Sequence, residues 1–300
     1  MLHSDPNWPR ASAWLAGDCY ADAATLLTVL GAPLNSSITP GQCDLAPNAF
    51  RTALQRFSSY DVAHDADLRS IKVTDLGDLN LANLRPEEAL EPITIAMRQP
   101  SAKGAVVLLG GDNGITRPGV HGFGGDLAKC GLITFDAHFD LRDLDGGFHN
   151  GNPVRALLAD GLPGENIVQI GIQSFVNSQA YTQIARDANI AFTTVEQVHA
   201  AGIEEVVNLA LGSLSEKVDQ IYVDCDLDVL DRAYAPATPG SRPGGLLPWQ
   251  LRKAVYMCGK HPKVKAIDFV EVDPTKDIAS VTVLAATACL LSFASGLLAR

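Results

Sequence analysis

Two acidic segments, each placed where an apolar run ends, gather residue types that bind divalent metals: Phe135-Asp136-Ala137-His138-Phe139-Asp140 and Asp224-Cys225-Asp226-Leu227-Asp228. In an extended chain residues i, i+2 and i+4 share a face. Asp136, His138 and Asp140 are therefore expected to converge on one point, and Asp226 and Asp228 on another. Asp136, Asp140, Asp226 and Asp228 carry four negative charges, enough to offset two divalent cations almost completely. Without metal the same density of buried charge would repel itself. The expectation is a binuclear metal centre. Helix caps or surface acids are the alternative, and three ligand-type side chains at alternate positions after one apolar strand favour the metal. Alone, the Asp226/Asp228 pair also fits a DxD that holds a nucleotide-bound cation, a reading that needs a nucleotide pocket for which the sequence offers no sign.

Three further segments belong with these. Gly110-Gly111-Asp112-Asn113 follows the apolar run Ala105 to Leu109, and Asn113 offers an amide oxygen as a ligand. Neither GxGxxG nor GxxxxGK[ST] is present, so the glycines do not mark a phosphate loop. Glu271 ends the last apolar run, in Ile267-Asp268-Phe269-Val270-Glu271. There it can pair with a planar cation through two parallel hydrogen bonds, or serve as a salt bridge or cap. The Pro/Gly-rich run from Asp231 to Gly245 is suited to wall a small-molecule pocket.

The elements that must position these residues are legible as alternation. Apolar β-rich runs at Leu26 to Leu30, Ile71 to Val73, Ala105 to Leu109, Leu132 to Phe135, Ile167 to Ile172, Ile190 to Thr194, Ile221 to Val223 and Val264 to Val270 predict strands. Helix-length segments such as Pro86 to Met97, Val154 to Ala159, Ser178 to Ala188, Ile203 to Leu214 and Pro248 to Cys258 lie between most of them. Such alternation predicts βαβ units and a mostly parallel sheet covered on both faces, with ligands beyond the carboxyl ends of the strands. No linker divides the chain, so one domain over residues 1–300 is expected.

Composition narrows the function classes. The chain has 300 residues, 47% hydrophobic and 19% charged, as suits a soluble enzyme, and a formal charge of −11 with no basic run, which argues against nucleic acid. Cys19, Cys43, Cys130, Cys225, Cys258 and Cys289 show no CxxC spacing and read as reduced thiols of a cytosolic protein. The start, Met1 to Pro6, lacks the basic and apolar regions of a signal peptide, so a cytoplasmic address is expected. The apolar stretch Ser280 to Leu298 is interrupted by Thr282, Thr287, Ser292 and Ser295, and reads as a buried terminal helix rather than a membrane span.

Taken together, the segments GGDN, DAHFD, DCDLDVLD, APATPGSRPGG and FVEVDP resemble the ureohydrolase family of arginases, agmatinases and formimidoylglutamases. Gly31-Ala32-Pro33 through Ser36, Gly41, Pro47 and Arg51, then Asp75-Leu76-Gly77-Asp78, resemble that family's opening loop. The resemblance implies an α/β fold, a three-layer α/β/α sandwich around a mostly parallel sheet, with two manganese ions at its carboxyl edge. Nickel or cobalt stay open, although oxygen-rich ligation favours manganese. By resemblance, Asn113, Asp136, Asp140 and Asp226 hold one ion, and His138, Asp136, Asp226 and Asp228 the other. A hydroxide between the ions attacks an amidine-type carbon, Asp140 or Asp228 relays the proton, and Glu271 holds the cationic nitrogen end.

Departures within the family point to a subfamily. Most members carry histidine where this chain has Asn113, a poorer donor that should bind the first metal more weakly. Asn113, the run Asp136 to Arg142, the loop Asn150-Gly151-Asn152-Pro153-Val154-Arg155 and the run Gly171 to Asn177 are more similar to formimidoylglutamases than to arginases. His149 is the candidate proton shuttle, one position before the slot that arginases use. Asn150, Asn152, Arg155 and Arg242 are candidate substrate contacts, because N-formimidoyl-L-glutamate carries two carboxylates that guanidinium forks fit. The resemblance thus implies hydrolysis of N-formimidoyl-L-glutamate to L-glutamate and formamide. The alternatives are a guanidino-compound hydrolase releasing urea, and a metal-poor partner subunit without activity. A small-molecule substrate, no nucleic-acid or membrane partner, and a homo-oligomer, trimer or hexamer, are expected.

Overall fold

A computed structural model describes residues 5–101, 104–122 and 126–300, with the main chain alone at Thr25 and 99–101. Met1 to Ser4 lie outside the described residues. The strands follow the apolar runs: β1 (Ala24–Ala32), a small hairpin of β2 (Tyr60–Asp61) and β3 (Ala66–Asp67), β4 (Ile71–Asp78), β5 (Ala105–Gly110), β6 (Cys130–Phe135), β7 (Ile167–Ile172), β8 (Ala191–Thr194), β9 (Gln220–Cys225) and β10 (Val264–Phe269). Every residue of β5, β6 and β7 is buried. Strands covered on both faces have no solvent side to mark with polar residues, which is why they read as continuous apolar runs.

The helices are α1 (Ala11–Leu15), α2 (Ala46–Ala53), α3 (Pro86–Ser101), α4 (Thr116–His121), α5 (Pro153–Asp160), α6 (Gln179–Asp187), α7 (Val195–Ala201), α8 (Ile203–Ser215), α9 (Pro248–Lys260) and α10 (Val281–Leu297). Local chemistry sets their ends. α5 starts on Pro153 and stops at Gly161 in the left-handed region. Ser178 caps α6 through Tyr181 N–H, and Thr194 and Gln197 form a reciprocal capping box on α7.

Trp14, Phe50, Val198, Leu211, Val255 and Leu290 bring α1, α2 and α7 to α10 into one core. Ile93, Val120, Leu157 and Ala185 bring α3 to α6 into a second. The strands feed both cores by alternation, Val107 and Leu109 into the first and Val106 and Leu108 into the second. The result is the three-layer α/β/α sandwich. In α10, Thr287 and Ser292 hydroxyls bond back to the carbonyls of Val283 and Ala288, while Ser295 donates to Asp61 and Thr282 Oγ1 accepts Ala237 N–H, so each polar interruption has a partner. Among the described residues no helix is long and apolar enough to cross a membrane.

The eight-stranded parallel sheet has the order β4-β1-β5-β10-β9-β6-β7-β8. The chain therefore sets β5 and β6 apart and returns late to fill the gap with β9 and β10. A reversal of this kind opens a crevice at the carboxyl edge. Four neighbouring strand ends face it: β5 leads to Asn113, β10 to Glu271, β9 to Asp226 and Asp228, and β6 to Asp136, His138 and Asp140.

Candidate metal centre

Register puts the two acidic segments at one level. Phe135 pairs with Cys225, and Asp226 N–H donates to Phe135 O at 3.0 Å, so Asp136 and Asp226 emerge side by side. Beyond that point the chain is not extended, which corrects the alternating geometry expected from sequence. Asp140 has φ 52°, and Asp226 caps a turn at Leu227–Val229 by accepting Asp228 N–H at 2.8 Å. Short acidic side chains bond to main-chain N–H groups two residues on and so bend the chain.

Asp136 and His138 of the first segment consequently meet Asp228 of the second. His138 Nδ1 lies 2.8 Å from Asp228 Oδ2 and 3.4 Å from Asp136 Oδ1. Ligand atoms of Asp136, His138 and Asp228 all lie within 4.8 Å of one another. Close approach of the loop Pro239-Gly240 over this group requires glycine, since a Cβ at Gly240 would fall 2.0 Å from Asp228 Oδ2.

Asn113 approaches from the other side. Its Nδ2 donates to Asp140 Oδ2 at 2.5 Å and its N–H to Glu271 Oε1 at 2.8 Å. Asn150 Nδ2 donates to the same Glu271 oxygen at 3.1 Å. Glu271 itself has φ 63°, a strained conformation for a residue with a side chain, held by these two donors.

Burial and mutual repulsion shift the acids of this cluster upward. Burial, then the neighbouring Asp228, pushes Asp136 up to about 7. Burial, with Asp136 beside it, raises Asp140 well above the usual carboxylate range, and burial with Asp228 does the same for Asp226. Burial and Asp112 push Glu271 up to about 8. Asp228 is the exception: burial acts to raise it, but His138 pulls it below its ordinary value. His138 in turn is disfavoured by burial yet lifted to about 12 by Asp228. Asp136 Oδ2 has no hydrogen-bond partner although the residue is only 1% exposed. A buried carboxylate oxygen without a partner, among acids that repel one another, fits a divalent cation, and the oxygen-rich donor set suits manganese.

Above these groups lies a cavity of about 150 Å³. His138, Asp140, Asp226, Asp228 and Glu271 line it, together with Asn150, Arg242, Pro239 and Gly240 from the expected loops. Three candidates stand elsewhere. His149 and Asn152 face a separate small cavity beside Phe148, and His149 Nδ1 is occupied by Gly151 N–H at 3.0 Å. Asn152 is fully buried and spends its amide on Asp143 O, Gly147 O and His149 N–H, which shapes the loop and leaves no group for substrate. Arg155 is absent from the lining and acts through its main chain, whose N–H donates to Asp140 O at 3.1 Å. Turning at Gly151 is what separates Asn150, on the cavity side, from these neighbours.

Sequence reasoning missed Arg142, Tyr181, Asn177, Ile38 and Thr39, all in the lining. Arg142 follows Asp140 by two residues, so its place inside the acidic motif was an available signal. Asn177 had a less visible role: Oδ1 accepts Phe139 N–H at 3.0 Å and Nδ2 donates to Ala137 O at 2.8 Å, which clamps the chain on both sides of His138.

The profile of the arginase family matches residues 26–295. The chain belongs to the arginase family. Within the family it is 39% identical to a formimidoylglutamase of Halalkalibacterium halodurans over 274 residues, covering 89% of this chain and 86% of that one. The crystal structure of Bacillus subtilis formimidoylglutamase superposes with a TM-score of 0.91 at 31% identity, over 99% of this chain and 94% of that chain. Trypanosoma cruzi formiminoglutamase with Mn2+2 shares the fold, with a TM-score of 0.86 at 23% identity over 98% and 99% of the two chains.

Proposed function

We propose that this chain is a manganese-dependent formimidoylglutamase, hydrolysing N-formimidoyl-L-glutamate to L-glutamate and formamide. The observation that carries the reading is that His138, Asp140, Asp226, Asp228 and Glu271 line one cavity, with Asp136 against His138 and Asp228 and Asn113 bonded to Asp140 and Glu271, in a chain similar to formimidoylglutamases over nearly its whole length. Asn113, Asp136, Asp140 and Asp226 would hold one manganese ion and His138, Asp136, Asp226 and Asp228 the other, and the pair would supply a hydroxide nucleophile near neutral pH.

The chain's own groups do the rest. Glu271 is fixed by Asn113 N–H and Asn150 Nδ2 through Oε1, which leaves Oε2 to hold the cationic amidinium of the substrate. Asp228 has both oxygens engaged, by Ala137 N–H and by His138, so it positions and does not carry protons. Asp140, bonded only through Oδ2 to the Asn113 amide and raised by burial, is the group able to take a proton and pass it to the leaving nitrogen. Arg142 and Arg242 at the rim supply guanidinium groups for the two substrate carboxylates. Arg242 Nη1 donates to the carbonyls of Gly240 and Ser241, at 3.0 and 2.9 Å, which ties the side chain to the cavity's loop.

Agmatine has no carboxylate for these arginines to meet, which disfavours it, while arginine and guanidinobutyrate carry one and are separated by product. The test is turnover by the manganese-loaded chain on formimidoylglutamate, arginine, agmatine and guanidinobutyrate. Formamide from the first and little urea from the others is the expected result. Urea alone would replace the substrate assignment, and no turnover at all would favour a non-catalytic partner subunit.

A further inference from the structure

The Asn113 amide sits between Asp140 and a buried hydroxyl. Its Oδ1 lies 2.6 Å from Thr116 Oγ1, which also lies 2.9 Å from Asp268 Oδ2. Thr116 and Asp268 are both 0% exposed, so water cannot supply a missing proton. A hydroxyl owns one proton. With Oδ1 facing it, Thr116 meets two acceptors and can serve only one. Asp268 is arranged as an acceptor on both oxygens, receiving Cys225 N–H at 3.1 Å and Tyr222 O–H at 2.8 Å.

Turning the amide by half a turn exchanges nitrogen and oxygen in nearly the same space. Thr116 then gives its proton to Asp268 and accepts one from Asn113 Nδ2, and every group on that side is satisfied. The cost appears on the other side, where Oδ1 now faces Asp140 Oδ2, and two oxygens 2.5 Å apart need either a proton on Asp140 or a metal ion held by both. Oxygen toward Asp140 is the orientation that metal ligation by Asn113 would require.

We propose that Thr116 is the positioning residue for Asn113, its hydroxyl committed to Asp268 and receiving Nδ2–H so that Oδ1 is held toward the metal. This rests on the reading of Asn113 as a ligand. It explains how an amide serves in a place where most of the family uses an imidazole: Thr116 and Asp268 supply the orientation that a weaker ligand lacks. The effect is local, because His138 and Asp228 on the far side make no hydrogen bond to Thr116.

The experiment compares manganese binding by the parent chain, Thr116→Val and Thr116→Ser, by equilibrium dialysis with metal analysis and by the electron paramagnetic resonance signal that distinguishes a coupled pair from a single ion. Valine keeps the shape and removes the hydroxyl; serine keeps the hydroxyl. The expected result is two ions in the parent, one tight ion and a second weakened about 10- to 100-fold in Thr116→Val with loss of the coupled signal, and parent-like binding in Thr116→Ser. Two ions held by Thr116→Val with parent affinity would overturn the inference. Equal weakening of both ions would overturn it too, since it would make Thr116 a general support of the fold. A parent chain that binds no pair of ions would instead overturn the metal-centre reading, and the inference with it.

Discussion

The two halves of the centre are built differently. On the His138 side, Asp136, His138 and Asp228 meet directly, with an ion pair of 2.8 Å and a glycine packed close against Asp228. On the Asn113 side, a neutral amide presents its nitrogen to Asp140, and orientation depends on a buried hydroxyl behind it. One half is pre-organised by charge and the other by a hydrogen-bond chain. The difference implies that a site with shared bridging acids would hold its two ions unequally, because ligand type and supporting contacts differ on each side.

The largest test of this comparison removes what both halves share. Asp136→Ala should abolish binding of both ions and lower kcat/KM by at least about a thousandfold, about 4 kcal/mol of barrier, read by metal analysis and steady-state kinetics. Retention of one tight ion would show that Asp136 does not bridge. Next in size are the arginines. Arg142→Ala and Arg242→Ala should each raise KM for the dicarboxylate by about 10-fold or more with little change in kcat, whereas Arg155→Ala should stay within about twofold. Asn113→His should then sharpen the contrast between halves, tightening the weaker ion by about 10-fold and leaving the His138 ion unchanged, as metal titration would show.

The smallest effect is a pH trend in thermal stability. Asp136 and Glu271, at about 7 and about 8, hold protons in the folded chain that the unfolded chain has already released at lower pH. Stability of the metal-free protein should therefore fall as pH rises through this window. His138, lifted above its ordinary value, acts in the same direction above about pH 6.5. Asp228, lowered, contributes stability above the ordinary carboxylate range that is lost as pH falls through its folded value, so it opposes the trend only in acid. Manganese replaces the protons, and its gain in melting temperature should grow from about pH 5 to about pH 8. A metal-free melting temperature that rises over this range would contradict the assignment of buried, protonated acids.

Much of this architecture was legible because burial writes itself into sequence. All eight sheet strands lie where apolar runs predicted them, seven within two residues at each end, while β4 runs five residues past Val73 to Asp78. Helices α1, α2, α4 and α7 were not anticipated; they are 5 to 8 residues long, too short for periodicity to stand out. For α7 the capping pair Thr194 and Gln197 was a usable signal. At the site, residue type and spacing located the groups that line the cavity, but the extended-strand geometry used to justify them does not occur. Asp140 at positive φ and the turn capped by Asp226 bring the side chains together instead. The direction in which loop residues face was not legible, as Asn150 and Asn152 show: two residues apart, one touches Glu271 and the other is buried in its own loop.

The central claim is that four adjacent strand ends hold two metal ions of unequal support. Anomalous diffraction at the manganese edge, from crystals soaked at low and then high manganese, tests it most directly. The account predicts one peak beside His138 and Asp228 at low concentration and a second beside Asn113 and Asp140 at high concentration. Peaks of equal occupancy at low concentration would contradict the inequality, and absence of any peak among these residues would contradict the centre itself.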